Sequence, residues 1–310
     1  MPWLISLVVP VFNEAPIIAA NLAAILAAAA HDDYRFELIA VDDGSSDSSA
    51  EEIRRAAAAD PRIVLLQLTR NFGKEAAIHA GLSAAQGAAV IVLDGDLQHP
   101  PQLIPQMLAF WHQGICVVEG IKSDRGQESL HHGLLARGFY GLLRRFGGLD
   151  LEGHSDFKLL DRVVVDAYLS FPERQRFFRG IIRWAGYPSA QIPFAVPERA
   201  GGGASQWSKL KLFRYAIGNL TSFSSAPLRL VSWVGAATLL FGFVIGANSL
   251  LQKFEGRAIS GFTTVNLLII IIGGAILLSL GIIGHYLARL YDEVKGRPAY
   301  LIKPERRPPP

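Results

Sequence analysis

Within its first 120 residues the chain alternates short apolar, β-branched stretches with Ala-rich helical ones, and that alternation leaves few folds open. Strands are expected at 4–9, 36–41, 62–68 and 88–93, with a fifth at 115–120. Helices are expected at 16–30, from the Ser-rich run after 45 to Ala59, and at 74–86. The strands are continuous apolar runs, so both of their faces are buried. Strand–helix repetition of that kind builds a largely parallel sheet with helices on both faces, an α/β architecture. Pro16 suits a first helical turn, and Ser45, Ser46 or Asp47 is placed to cap the second helix.

Ligands of open parallel sheets sit beyond the carboxyl ends of the strands. The first four strands here all exit into polar residues: Pro10-Val11-Phe12-Asn13-Glu14, Asp42-Asp43-Gly44-Ser45, Thr69-Arg70-Asn71-Phe72-Gly73-Lys74, and Asp94-Gly95-Asp96. Convergence of four such exits points to a site. Two carboxylates one residue apart suit Mg²⁺ or Mn²⁺, hard cations that share a substrate's phosphates, and Gln98 adds a neutral oxygen. Gly95 lets the backbone approach a ligand closely. Asp42 and Asp43 are placed to accept from a base N–H or from ribose hydroxyls. No G-x-G-x-x-G and no P-loop follows any strand, which disfavours dinucleotide and P-loop folds. The Gly run at 201–203 follows no clear strand and reads as a loop.

Half of the chain is hydrophobic and 18% is charged, lean for a soluble protein, and the excess lies after Pro227. Leu230 to Leu251 carries no charge over 22 residues, about 33 Å as a helix; Val265 to Ile283 carries none over 19. Both are expected to span a membrane. Arg214 and Arg229 precede the first span; Arg289, Lys295, Arg297, Lys303, Arg306 and Arg307 follow the second. This bias places the sheet domain and both chain ends on the cytoplasmic side. The N-terminal stretch has no basic n-region and is interrupted by Pro10 and Glu14, so it does not read as a signal peptide. Residues 130–148 and 207–223 mix Arg and Lys with Leu, Phe and Tyr and read as helices lying on an anionic membrane surface. The expected division is a sheet domain over 1–200, a loop and amphipathic helix over 201–229, two spans over 230–288 and a basic tail over 289–310. A net charge of +3 does not argue for nucleic acid. The single cysteine, Cys116, excludes an intramolecular disulfide and is expected to be a buried small hydrophobe.

The segments VVPVFNEA, VDDGSSD, LTRNFGKEAAIHAGLSAAQG, VIVLDGDLQHPP, SDFKLLDR, ERQRFFRGIIRWAGY and LTSFSSAPLR together resemble family-two glycosyltransferases of the GT-A fold. More narrowly they resemble the polyprenyl-phosphate glycosyltransferases, the group that includes dolichol-phosphate mannose synthases and bactoprenol glucosyltransferases. The resemblance covers nearly the whole chain. It implies inverting transfer of a sugar from a UDP- or GDP-linked donor to a membrane polyprenyl phosphate, in a bacterial inner membrane, with glucose favoured and a homo-oligomer allowed. By matching position, Pro10, Phe12, Asn13, Glu14, Asp42 and Asp94 line the nucleotide, and Asp43, Asn71, Lys74 and Gly95 join them at the same exits. Asp94, Asp96 and Gln98 hold the metal, Mg²⁺ or Mn²⁺, and Asp94, Asp96 and Asp156 form the catalytic set. Lys158 stands where the family has Arg, Phe12 where Tyr is common, and Gln206 where Lys is usual, with Lys209 nearby. The attacking phosphate is mostly dianionic near neutral pH, its second pKa being about 6, so it needs cations more than a base. Lys122, Arg125, Lys158, Arg176, Arg179 and Arg199 are the candidates for that clamp. Two rivals are a D-x-D phosphatase, disfavoured by Gln98 at the Thr/Val place, and a non-catalytic membrane scaffold that kept a transferase fold.

Overall fold

The structure, a computed structural model, describes residues 2–122, 154–174, 176–195, 226–255 and 261–304. The expected surface helices at 130–148 and 207–223, the Gly run at 201–203, and Arg125, Arg199, Gln206 and Lys209 lie outside these residues. The chain divides into two compact units, one holding the sheet together with the segment from Pro298 on, the other holding the last two helices.

In the first unit, β1 (Trp3–Val11), α1 (Ile18–Ala29), β2 (Tyr34–Asp42), α2 (Ser49–Ala59), β3 (Ile63–Gln67), α3 (Lys74–Ala84) and β4 (Ala89–Val92) alternate as expected. A short 3₁₀ turn leads into α4 (Ile104–His112), and β5 (Val117–Lys122) follows. Then come β6 (His154–Asp161), α5 (Arg162–Ser170), α6 (Phe178–Ala185) and β7 (Ser189–Phe194). The seven strands form one sheet in the order β3-β2-β1-β4-β6-β5-β7. Pairing is parallel from β3 through β4 and between β5 and β7, whereas β6 runs antiparallel to both of its neighbours.

Apolar periodicity explains the layers. The last seven residues of β1 are all buried. Against them α1 lays Ile18, Leu22, Ile25, Leu26 and Ala29, spaced to share one helical face. On α3, Gly81 takes the closest approach: a Cβ there would lie 2.3 Å from Val8 Cγ1.

The sheet also opens the cleft. β1 stays paired with β2 as far as Val11 and Asp42, but its ladder with β4 covers only Ile5 to Val8. Past that point the two central strands part. Pro10, which has no N–H to give a ladder, lies where β1 has lost β4 but keeps β2, and a central strand can tolerate it there.

Two expectations are corrected. The strands expected from the sequence end at 120, yet β6 and β7 complete the sheet; β6 escapes a search for apolar runs because Asp156 and Lys158 interrupt it. β5 begins at Val117, which leaves Cys116 ahead of the strand and half-buried rather than in the core. Part of the stretch after the second span reaches the sheet. Thr69 N–H donates to Leu301 O (2.9 Å) and Lys303 N–H donates to Gln67 O (2.7 Å), flanking an antiparallel bridge between Leu68 and Ile302.

The second unit contains α7 (Ala226–Phe254) and α8 (Phe262–Val294), both long and apolar enough to cross a membrane. Leu239, Phe243, Leu277 and Leu278 project from them with well over half of their surface exposed, as suits side chains facing lipid rather than water.

Gly44 sits at the turn after β2 with φ +65°, and a Cβ there would lie 2.2 Å from the main-chain carbon of Arg70. Gly44→Ala therefore combines left-handed strain with a clash against backbone. It is expected to destabilise the sheet unit by about 2 kcal/mol or more, read as a lowered thermal midpoint in detergent.

Candidate active site

The first three strand exits are laced together. Asn13 takes a positive φ of 54°. Its N–H donates to Ser45 Oγ (3.0 Å) and its Oδ1 accepts from Ser46 N–H (2.8 Å). Glu14 N–H donates to Ser49 Oγ (2.8 Å), and Asp47 accepts from the N–H of Ser49 at the start of α2. Phe12 projects from this loop, 46% exposed, and Asn71 is also exposed. Asp42 is fully buried at the end of β2 and accepts from Ser45 N–H (3.2 Å) and Gln67 Nε2 (3.1 Å). Asp43 is committed to the protein itself. Its two oxygens accept from Phe72 and Gly73 N–H at 2.8 and 2.9 Å, which ties the β3 exit to the β2 exit. Burial pushes its carboxyl up in spite of those bonds.

At the β4 exit, Asp94 N–H donates to His99 Nδ1 (3.1 Å). His99 is itself fixed by stacking on Phe157 at 5.3 Å. Asp96 Oδ1 accepts from Gln98 N–H (3.0 Å) across Leu97, which takes a positive φ of 58°. Gly95 O accepts from Asn21 Nδ2 (2.7 Å), and a Cβ on Gly95 would come within 2.8 Å of Glu14 Oε2. A larger residue at 95 would require the Glu14 carboxylate to shift.

Four charges meet at the mouth of the cleft. Lys74 Nζ, on the first turn of α3, lies 2.6 Å from Asp94 Oδ1 and 2.7 Å from Asp156 Oδ2. Arg179, on α6, grips Asp156 with Nε at 2.5 Å and Nη2 at 2.9 Å. Desolvation works against the Asp156 anion, but Lys74 and Arg179 overcome it and hold its carboxyl well below the usual range. Asp156 is therefore ionised at neutral pH and is a poor proton acceptor there. Burial likewise opposes the Lys74 ammonium, and Asp156 and Asp94 outweigh it, raising that pKa.

Glu75 and His99 belong to this site although sequence reasoning did not single them out. Glu75 accepts from Phe178 N–H (2.8 Å), the first residue of α6, and so anchors the helix that carries Arg179. Burial pushes its carboxyl up to about 7, the Asp156 charge adding to the effect against the Phe178 N–H, Arg179 and Lys74. The available signal was an acid beside Lys74 in a helix's first turn.

Two expected phosphate ligands are placed elsewhere. Lys158 is 1% exposed, its Nζ 3.0 Å from Glu119 Oε2 on the neighbouring strand, because its position opposite Val92 and Glu119 puts it within the sheet. Arg176 spends its guanidinium on the main-chain carbonyls of Tyr168, Phe171 and Glu173 at 2.6, 2.7 and 3.0 Å, closing the end of α5. Lys122 ends β5. Of the expected clamp, Arg179 is the member that the described side chains bring into the charge cluster.

Among the described residues, no three His, Cys, Asp or Glu side chains form a ready-made metal cage. The donor set at the β4 exit is all oxygen, two carboxylates with Gln98 beside them. That fits Mg²⁺ or Mn²⁺ held jointly with a substrate's phosphates.

The Glu75 environment predicts a pH dependence. Between its ordinary value of 4.5 and about 7, the folded state keeps a proton that the unfolded chain has lost, so stability declines as pH rises through this window. Glu75→Gln keeps an acceptor for Phe178 N–H and removes the titration. From pH 5 to 8 the wild-type thermal midpoint is expected to fall more steeply than the variant's, by the equivalent of roughly 1–3 kcal/mol.

Residues 6–169 match the family model described as glycosyl transferase family 2. The chain is 36% identical over 305 residues to the SfII prophage-derived bactoprenol glucosyl transferase of Shigella flexneri, covering 98% of each. It is 35% identical over 301 residues to the prophage bactoprenol glucosyl transferase homolog of Escherichia coli K12, covering 96% of this chain and 98% of that one. Among solved structures, glucosyl-3-phosphoglycerate synthase from Mycobacterium tuberculosis, in complex with Mn²⁺, uridine diphosphate and phosphoglyceric acid, shares the fold. The TM-score is 0.50 at 23% identity, over 71% of this chain and 78% of that one. A mycobacterial protein aligns with a TM-score of 0.51 at 20% identity, over 72% and 75%. Sheet topology, the polar exits of β1 to β4 and these matches agree: the chain belongs to glycosyl transferase family 2.

Proposed function

We propose that the protein transfers a sugar, glucose favoured, from a nucleotide diphosphate to a polyprenyl phosphate in the membrane, with inversion at the anomeric carbon. The lipid-linked sugar then serves cell-envelope glycan modification. The observation that carries this reading is the charge cluster of Lys74, Asp94, Asp156 and Arg179 at the parting of β1 and β4, in a chain with two membrane-length helices. Bactoprenol glucosyl transferases as relatives over nearly the full chain support the acceptor.

The nucleotide is read as lying along the exits of β1, β2 and β3, with Phe12, Asn13 and Asn71 exposed to it and Asp42 beneath. Asp94 and Asp96, with Gln98, would hold Mg²⁺ or Mn²⁺; when bound, that ion neutralises the leaving diphosphate. The acceptor phosphate attacks as its own nucleophile. Lys74 and Arg179 bring positive charge to a place where two groups of phosphates must approach each other. Asp156 holds both cations by ion pairing, which suits an orienting anion better than a general base. A cleft whose charges are already in place avoids reorganising them during the reaction.

Membrane insertion follows from α7 and α8. The basic residues flanking them, and the docking of 301–303 on the sheet unit that precedes α7, favour a hairpin with both ends on the cytoplasmic side.

Membranes carrying the wild-type chain, supplied with undecaprenyl phosphate, Mg²⁺ or Mn²⁺ and labelled UDP-glucose, UDP-N-acetylglucosamine or GDP-mannose, are expected to form labelled lipid from one donor. Chelation of the metal should stop the reaction. Asp96→Ala should slow it by about 100-fold or more, the order expected when charge stabilisation at a leaving group is lost. A wild-type chain that binds lipid and never consumes a nucleotide sugar would point to the scaffold instead.

A further inference from the structure

The described part of the segment after the second apolar helix meets the β3 edge at its exit alone. Its two hydrogen bonds engage Gln67 and Thr69, at the strand's exit. Among the described residues nothing comparable runs along the middle of β3, where Val64 stays 47% exposed. A cover meant only to protect a sheet edge would lie over that middle. The side chains of Leu301, Ile302 and Lys303 are exposed, so main chain makes the join rather than packing. Half-buried Tyr300 adds an edge-on ring contact to His79 of α3, 5.4 Å between centroids.

The held residues lead straight into the nucleotide side of the cleft. Gln67 gives its carbonyl to Lys303 N–H while its side-chain amide donates to Asp42 Oδ2 (3.1 Å). Leu68 N–H donates to Asp42 O (2.9 Å), between the two residues tied to the far segment. The chain then enters the loop whose Phe72 and Gly73 amides grip Asp43, and Lys74 begins α3 at once. Movement of 67–69 would displace Asp42 and Lys74 together.

We propose that Tyr300–Lys303 is a positioning element of the donor site, a short bridged segment that holds the β3 exit, and through Gln67 the Asp42 carboxylate, in the geometry that receives the nucleotide. This rests on the reading that the nucleotide lies against the β1–β3 exits. The segment touches no reacting group; it sets donor affinity.

Lys303→Pro removes the single N–H that Gln67 O accepts, while Lys303→Ala keeps it; Tyr300→Ala removes the ring and Tyr300→Phe restores it. On the full chain in detergent, with UDP or GDP and Mg²⁺ titrated by calorimetry, Lys303→Pro is expected to weaken nucleotide binding roughly three- to tenfold. Donor KM should rise by the same factor with kcat within about twofold of wild type. Amide exchange over residues 67–73, measured without nucleotide, should quicken in Lys303→Pro and Tyr300→Ala. Lys303→Ala and Tyr300→Phe should match wild type in every readout. Faster exchange with unchanged nucleotide affinity, or a fall in kcat at constant KM, overturns the positioning role. Unchanged exchange in Lys303→Pro overturns the docking itself. If wild type binds neither nucleotide while exchange still responds, the donor reading fails, and with it the positioning role, though the docked segment stands.

Discussion

An ionised side chain withdrawn from water must be matched, and Asp156, 6% exposed, is matched by two cations rather than one. Lys74 sits between Asp94 and Asp156, and Arg179 holds Asp156 from the other side. Each charge comes from a different element: α3, the β4 exit, β6 and α6. Removing one partner of a buried pair costs far more than the pair contributes, because the remaining charge is left uncompensated. The cluster therefore fixes four elements relative to one another at the point where β1 and β4 separate. Glu75 extends the same logic by holding the N-terminus of the helix that presents Arg179.

The two sides of the cleft are built differently. On the β3-β2-β1 side, polar groups mostly bond one another: Asn13 with Ser45 and Ser46, Asp43 with the β3 exit, Asp42 with Gln67. That side is an organised surface of turns with few unmatched charges. On the β6 side, Asp156 comes from the one strand that runs antiparallel to both neighbours. Reversal of β6 brings the early part of that strand, where Asp156 lies, alongside the exit of β4. A wholly parallel sheet would have sent Asp156 to the opposite edge.

Much of the parallel half was legible because continuous apolar runs and polar exits are local signals, readable a few residues at a time. The two membrane-length helices were legible for the same reason. β6 was not, since Asp156 and Lys158 break its apolar run and their partners, Arg179 and Glu119, are distant in sequence. Arg176 and Arg179 look alike in ERQRFFRG, yet one is spent on backbone carbonyls and the other on a carboxylate. Only the path of the chain after α5 separates them. Asp43 was equally ambiguous: a carboxylate at a strand exit serves a ligand or a neighbouring loop, and here two amide donors claim it. Pairing of 301–303 with β3 uses main-chain groups that every residue possesses, so no side-chain pattern announced it.

That pairing joins segments far apart in the polypeptide, 67–69 and 301–303. During translation the β3 exit leaves the ribosome early, and its outer neighbour emerges only after both apolar helices have been made. Docking of the β3 exit is thus completed only after both apolar helices have been synthesised. The hydrogen bonds that hold Gln67 and Thr69 therefore form late, between residues far apart in the chain, and depend on everything between them having been made first.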